Sequence, residues 1–229
     1  MNSHTETRKI APIVFVLDCD NTLLDNDALK RDMDARLRDL LGAKLTDSFW
    51  RIYENVRAAE GTVDLPATFA AFRPSLDSDE QLERARSLVM NFPFNEYIYP
   101  DTPATIELLK RHGSPVIVSD GDAVYQPGKI IKSGLAQAVD NEWVVYVHKE
   151  DHLSALMDRW PANFYVMIDD KSRILASTKA LRPDRFVTVH VLQGHYSADR
   201  ASPAPDITVP GIGGVRDLNF EGLSIYLRQ

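Results

Sequence analysis

Two aspartates stand one residue apart, Asp18 and Asp20, and Thr22 adds a hydroxyl two positions further on. Residues 13–17, I-V-F-V-L, run straight into them without a polar break. Such a run predicts a strand buried on both faces, with Asp18 at its tip and Asp20 in the loop beyond. Three more polar clusters follow apolar runs of the same kind. Ser119-Asp120-Gly121 comes after V-I-V, Lys149 after V-Y-V-H, and Asp169-Asp170 after F-Y-V-M-I. Gathered on one rim, Asp18, Asp20, Asp169 and Asp170 repel one another, at roughly 4 kcal/mol for a pair about 4 Å apart in an effective dielectric of about 20. The set therefore wants a cation. All-oxygen donors without His or Cys select a hard ion, and Mg²⁺ is the commonest such ion in phosphoryl chemistry. Lys149 supplies a fixed positive charge and Ser119 a hydroxyl donor. Acids, magnesium, one lysine and one hydroxyl make a phosphate-handling set.

The elements that must position these groups can be read from the pattern around them. From about residue 27 to 91 the apolar residues fall at helical spacings and no strand is evident. Leu29, Met33, Leu37, Leu40 and Leu41 form one stripe, ended by Gly42; Asp47 is a candidate cap for the next helix. Residues 66–72 and a segment opening at Asp79 complete this helical block. Residues 92–100, with two prolines, read as a return linker. Helix and strand then alternate. Helices are expected over 103–111, 127–135, 153–160 and 174–181, with caps at Thr102, Asp151 and Ser172. Strands are expected over 115–118, 143–147, 164–168 and 186–191. This alternation predicts an α/β fold: a doubly wound, Rossmann-like parallel sheet with helices on both faces. One crossover hand puts every strand end, and so every polar cluster, on one rim. Residues 195–217 read as surface turns, including Pro210-Gly-Ile-Gly-Gly214, and 217–227 as a closing helix.

Composition narrows the partners. The 229 residues carry a net charge of −7, which argues against nucleic acid as the main partner. No apolar run reaches membrane-spanning length, so no membrane partner is expected. The single cysteine, Cys19, excludes an intramolecular disulfide framework and reads as a packing residue. The first ten residues are polar and read as a frayed tail rather than a secretory signal, which suggests a cytoplasmic protein. Plainer readings stand beside the chemical ones. Asp20 and Asn21 could support a turn, Ser119 a turn and Lys149 a solvated surface, and Asp169-Asp170 could cap a helix. His190 and His195 lack partners for a metal site. Arg51 and Tyr53 lie on the helical block, where either could face a pocket.

In order and at strand ends, D-C-D-N-T, Ser119, Lys149 and Asp169-Asp170 resemble the four motifs of the haloacid dehalogenase superfamily. The likeness spans nearly the whole chain. It implies an α/β core over residues 10–24 and 98–229, with residues 25–97 an inserted α-helical cap domain of the family's first cap class. By resemblance, Asp18 is the nucleophile that attacks phosphorus. Asp20 protonates the leaving oxygen and later activates water. Ser119 and Lys149 hold the phosphoryl group, helped by the backbone amides of Asp120 and Gly121. Mg²⁺ would be bound by Asp18, the backbone carbonyl of Asp20 and Asp170, with Asp169 a ligand or close behind. Dehalogenases of the superfamily lack an acid at the Asp20 position, so the pattern favours phosphate ester hydrolysis over carbon–halogen cleavage. The implied function is a Mg²⁺-dependent phosphatase acting on a small-molecule phosphate ester. A phosphomutase and a non-catalytic metabolite-binding protein are the alternatives. The chain departs from the family at Glu150, where many relatives have proline, and at Asn21, which replaces the commoner glycine.

Overall fold

The computed structural model describes residues 10–227; the expected frayed tail lies, apart from Ile10, outside the described residues. Six strands make one sheet: β1 (Ala11–Leu17), β2 (Ser114–Asp120), β3 (Trp143–Tyr146), β4 (Ala162–Asp169), β5 (Phe186–Val191) and β6 (Ile207–Val209). All neighbours are parallel, in the order β3-β2-β1-β4-β5-β6. The chain winds outward through β2 and β3 on one side of β1, then through β4, β5 and β6 on the other. The winding reverses between β1 and β4, where an open α/β sheet leaves its ligand crevice.

The alternation of β1 builds two cores. Ile13, Phe15 and Leu17 enter one apolar cluster, with α5 (Thr102–His112), α6 (Tyr125–Lys132) and α7 (Leu135–Ala138). Val14 and Val16 enter a second, with α8 (Leu153–Arg159) and α9 (Ser172–Leu181) on the opposite face. A strand apolar at every position is what two covered faces demand.

Between β1 and α5 lie α1 (Asn26–Leu41), α2 (Ala43–Glu60), α3 (Leu65–Phe72) and α4 (Asp79–Met90). Their stripes meet in a third cluster around Leu29, Met33, Phe49, Phe69, Phe72 and Val89, to which Tyr125 of α6 also contributes. Asp25 caps α1 and Asp64 caps α3, each accepting a backbone amide at 2.8 Å. No helix among the described residues is long and apolar enough to cross a membrane.

Several expected boundaries move. Asp47 does not start α2; the helix begins at Ala43, and Asp47 pairs with Arg38 at 2.7 Å. Thr102 is the first residue of α5, and its hydroxyl donates to the Leu23 carbonyl at 2.8 Å, tying α5 to the loop after β1. Asp151 falls in a 3₁₀ turn, Lys149–His152, and His152 stands at the start of α8. Lys171, not Ser172, precedes α9. The stretch expected as surface turns contains β6 and a 3₁₀ turn, Ile212–Asp217, that buries Ile212 and Val215. The expected closing helix is a 3₁₀ segment, Phe220–Tyr226, anchored by Phe220 and Leu223.

Candidate active site

Asp18 follows β1 directly, and its backbone amide still donates to Ile168 of β4 at 3.0 Å. β4 ends on Asp169, with Asp170 next. The reversal point of the sheet therefore brings Asp18, Asp169 and Asp170 together, one carboxylate oxygen from each lying within 4.8 Å of the others. All three are buried. Both oxygens of Asp170 and Oδ2 of Asp18 have no protein hydrogen-bond partner.

β2 delivers Ser119, buried, with Gln126 of α6 donating to its hydroxyl at 2.9 Å. Beyond β3 the chain turns through His148 in a left-handed conformation (φ 57°), and Lys149 points back beneath the strand ends. The Asp120 carboxylate fixes that return by accepting the Lys149 amide at 2.8 Å. The Lys149 ammonium pairs with Asp18 and lies 2.6 Å from Asp169. Lys149 and the Asp169–Asp170 pair thus lie on the same side of the molecule as Asp18. One expected donor is committed elsewhere: the Gly121 amide donates to the Tyr146 carbonyl at 3.1 Å. It extends the β2–β3 ladder, so in this conformation it does not serve a phosphoryl group.

Burial and crowding set the charge states. Burial pushes the Asp18 carboxyl up to about 7, against the pull of Lys149 and with Asp169 adding to the rise. Burial, then the charges of Asp169 and Asp18, push Asp170 up to about 9. Burial opposes ionisation of Asp169 as well, but Lys149 and Lys171 bring it below its ordinary value. The site holds too much negative charge for its own cations. An all-oxygen donor set with unpartnered, proton-retaining carboxylates fits a hard divalent cation.

Asp20 sits apart from that trio. Its two oxygens accept from Lys129 of α6 at 2.7 and 2.9 Å, and the same ammonium reaches Asn26 of α1 at 3.1 Å. Burial works against the carboxylate, but Lys129 holds Asp20 below its ordinary value. Asn21 takes φ 58°, a left-handed conformation that asparagine tolerates nearly as glycine does. His190 contacts the Asp170 backbone carbonyl at 2.8 Å, and His195 pairs with Asp27 at 2.7 Å. Burial, then Asp20, push the Cys19 thiol well up, as its packing role requires.

Above the rim lies a cleft of about 440 Å³ between the strand ends and the helices of residues 26–97. Asp20, Asp120, Gly121, Asp170 and Lys171 reach it from the sheet side; Lys30, Met33, Phe49, Tyr53 and Leu65 face them. Tyr53 lines the cleft, whereas Arg51 is exposed and donates to Ser48 at 3.1 Å. Lys129, Lys171 and Lys30 are not among the residues that the sequence pattern singles out. Helical spacing held the signal for Lys129: it shares a face of α6 with Tyr125, Gln126 and Ile130, all buried.

No protein-family model matches the sequence. No curated protein matches it either. Solved structures do. A haloacid dehalogenase-like hydrolase from Burkholderia xenovorans LB400 is 38% identical, with a TM-score of 0.84 over 90% of this chain and 98% of its own. An L-2-haloacid dehalogenase from Xanthobacter autotrophicus shares the fold at 18% identity and a TM-score of 0.59, over 92% of this chain and 98% of its own. So does a magnesium-bound HAD hydrolase from Bacillus subtilis, at 14% and 0.57, over 89% of this chain and 96% of its own. The first of these likenesses runs through nearly the whole of both chains, and it places this protein among the haloacid dehalogenase-like hydrolases.

Proposed function

We propose that the chain is a Mg²⁺-dependent phosphatase that hydrolyses small phosphate monoesters through an aspartyl-phosphate. The observation that carries this reading is Asp20, a second strand-tip acid at the cleft floor with an ammonium partner of its own. An ester needs a proton on its departing oxygen, and a halide does not. A dehalogenase has no use for this acid.

Asp18 attacks phosphorus, and the bond from phosphorus to the ester oxygen breaks. That oxygen leaves with a proton from Asp20. Water then gives a proton to Asp20 and its oxygen to phosphorus, the bond to Asp18 breaks, and inorganic phosphate departs. Asp20 is paired to Lys129 as a carboxylate, the form that activates water in the second step. For the first step it must carry a proton, so the approach of the substrate has to loosen the Lys129 contact. Ser119 and Lys149 hold the phosphoryl oxygens with the Asp120 amide beside them, and the Asp120 carboxylate positions Lys149. Asp18, Asp170 and the Asp20 backbone carbonyl would hold the Mg²⁺, with Asp169 behind them. The bound ion supplies positive charge that keeps the carboxylates ionised and offsets charge on the phosphoryl group. In this reading residues 25–97 form a cap domain over a core of 10–24 and 98–229, and the cleft between them excludes bulk water during transfer.

The test is hydrolysis of an aryl phosphate with Mg²⁺, with a chelator, and by Asp18→Asn. Turnover is expected in the first case alone. Equal rates in all three, or halide release from a 2-haloacid without ester hydrolysis, would overturn the proposal.

A further inference from the structure

The charged groups around the cleft are nearly all accounted for. Lys129 saturates Asp20, Arg57 holds Glu54 at 3.1 Å, and Arg173 holds Glu150 at 3.1 Å. Asp122 accepts the amides of Val124 and Tyr125 at 2.7 and 2.6 Å. Lys171 forms no ion pair among the described residues, but its amide donates to Asp169 at 2.8 Å and its charge acts on Asp18 and Asp169, so it belongs to the phosphoryl end. Lys30 is different. It lines the wall facing the sheet, and among the described residues it has no ion-pair partner. Its ammonium lies 4.8 Å from the Tyr53 ring centroid. The two carboxylates in its electrostatic reach, Asp20 and Glu54, are the ones already taken by Lys129 and Arg57. The same wall presents Met33, Phe49, Tyr53 and Leu65 to the cleft, beside the Glu54–Arg57 pair. Lys30 is half-buried there, and its ring contact leaves the ammonium with no counter-charge of its own.

We propose that Lys30 binds a second anionic group, a carboxylate or a phosphate, on the leaving group of the ester. The substrate is then a phosphate monoester with a further negative charge on a small, partly apolar body. The cleft volume of about 440 Å³ suits a ligand of that size, and the phosphoryl end is anchored across the cleft by the strand ends. This inference rests on the phosphatase reading for its chemistry, but not for its binding.

Three esters separate the outcomes: phenyl phosphate, para-carboxyphenyl phosphate and para-phenylene bisphosphate. The wild type is expected to favour one or both anionic esters over phenyl phosphate by about tenfold or more in kcat/KM, mainly through KM. Lys30→Met should bring that ratio close to one, and Lys30→Arg should keep it above one. Which anionic ester leads tells carboxylate from phosphate. A wild-type ratio near one, or the same ratio in Lys30→Met, overturns the proposal. If no ester turns over, the phosphatase reading has failed by itself. Calorimetric binding of phenyl phosphonate and para-carboxyphenyl phosphonate, read as the same ratio in the same variants, then decides the role of Lys30.

Discussion

Metal-free protein should lose stability as the pH rises from 6 to 8, and Asp170→Asn should remove most of that loss. The carboxyls of Asp18 and Asp170 stand at about 7 and about 9 against an ordinary value of 3.8. The folded chain therefore keeps protons that the unfolded chain releases. Each such group weakens folding as the pH climbs from its unfolded to its folded value, by about 1.4 kcal/mol per pH unit. Between pH 6 and 8 Asp170 accounts for about 3 kcal/mol and Asp18, which saturates near 7, for about 1. Asp20 and Asp169 are held below their ordinary values, so their contribution is present throughout this range and fades only in acid. In Asp170→Asn the amide can donate to the neighbouring carboxylates, and about 1 kcal/mol of pH dependence should remain. The measurement is urea unfolding in chelator at half-unit pH steps, repeated with Mg²⁺. At a hundred times its dissociation constant the ion should add about 2.7 kcal/mol to the wild type at pH 8 and much less to Asp170→Asn. A flat wild-type profile in chelator, or an unchanged slope in the variant, would refute the electrostatic account of the site.

Two further perturbations test the surroundings of the rim. Lys129→Met removes the charge that holds Asp20 low, so the base form should appear only at higher pH; the acidic limb of the pH–rate profile should move up, and kcat should fall by about a hundredfold or more. An unmoved limb would mean that Lys129 does not govern Asp20. Phe49→Ala opens a hole among Phe69, Phe72 and Trp50, whose ring centroids lie 5.2–5.4 Å away, at a cost of about 3–5 kcal/mol. Hydrogen exchange should rise across residues 26–97 and stay low in β1 and β4; equal loss in both would dismiss the helical block as a separate unit.

What the sequence discloses depends on how local the signal is. β1 is legible because five apolar residues end abruptly on Asp18, and the parallel sheet follows from the alternation of such runs with helical stripes. β6 is not, since three residues cannot show a period; the strand exists because Ile207 to Val209 extend the β5 edge. Ile212 and Val215 hide in a segment whose glycines read as a turn, yet they cover the sheet beside Phe220. The polar clusters at the strand ends could be assembled from topology alone. The hydrogen bonds that assign them could not. Gly121 follows a strand whose register with β3 consumes its amide. Lys129 sits with Lys132 in an eight-residue helix, where a lysine ordinarily means a solvated face; its spacing with Tyr125, Gln126 and Ile130 marks it as buried, and the fold aims it at Asp20.

One charge balance links these features. Lys129 and Asp20 cancel. Beneath them, Asp18, Asp169 and Asp170, if all ionised, set three negative charges against the ammonium groups of Lys149 and Lys171, which leaves one in excess. Fully ionised, that floor would repel a phosphate dianion. Without a cation it relieves the excess by keeping protons, and Asp18, the proposed nucleophile, is about half neutral near pH 7. A divalent cation on the trio turns the excess to one positive charge, restores the attacking carboxylate and makes the floor attractive to a dianion. Metal dependence, pH dependence and anion binding at the rim therefore share one cause. A variant that removes one carboxylate of the trio should alter all three together, whereas Lys30, across the cleft, should alter only the choice among anions.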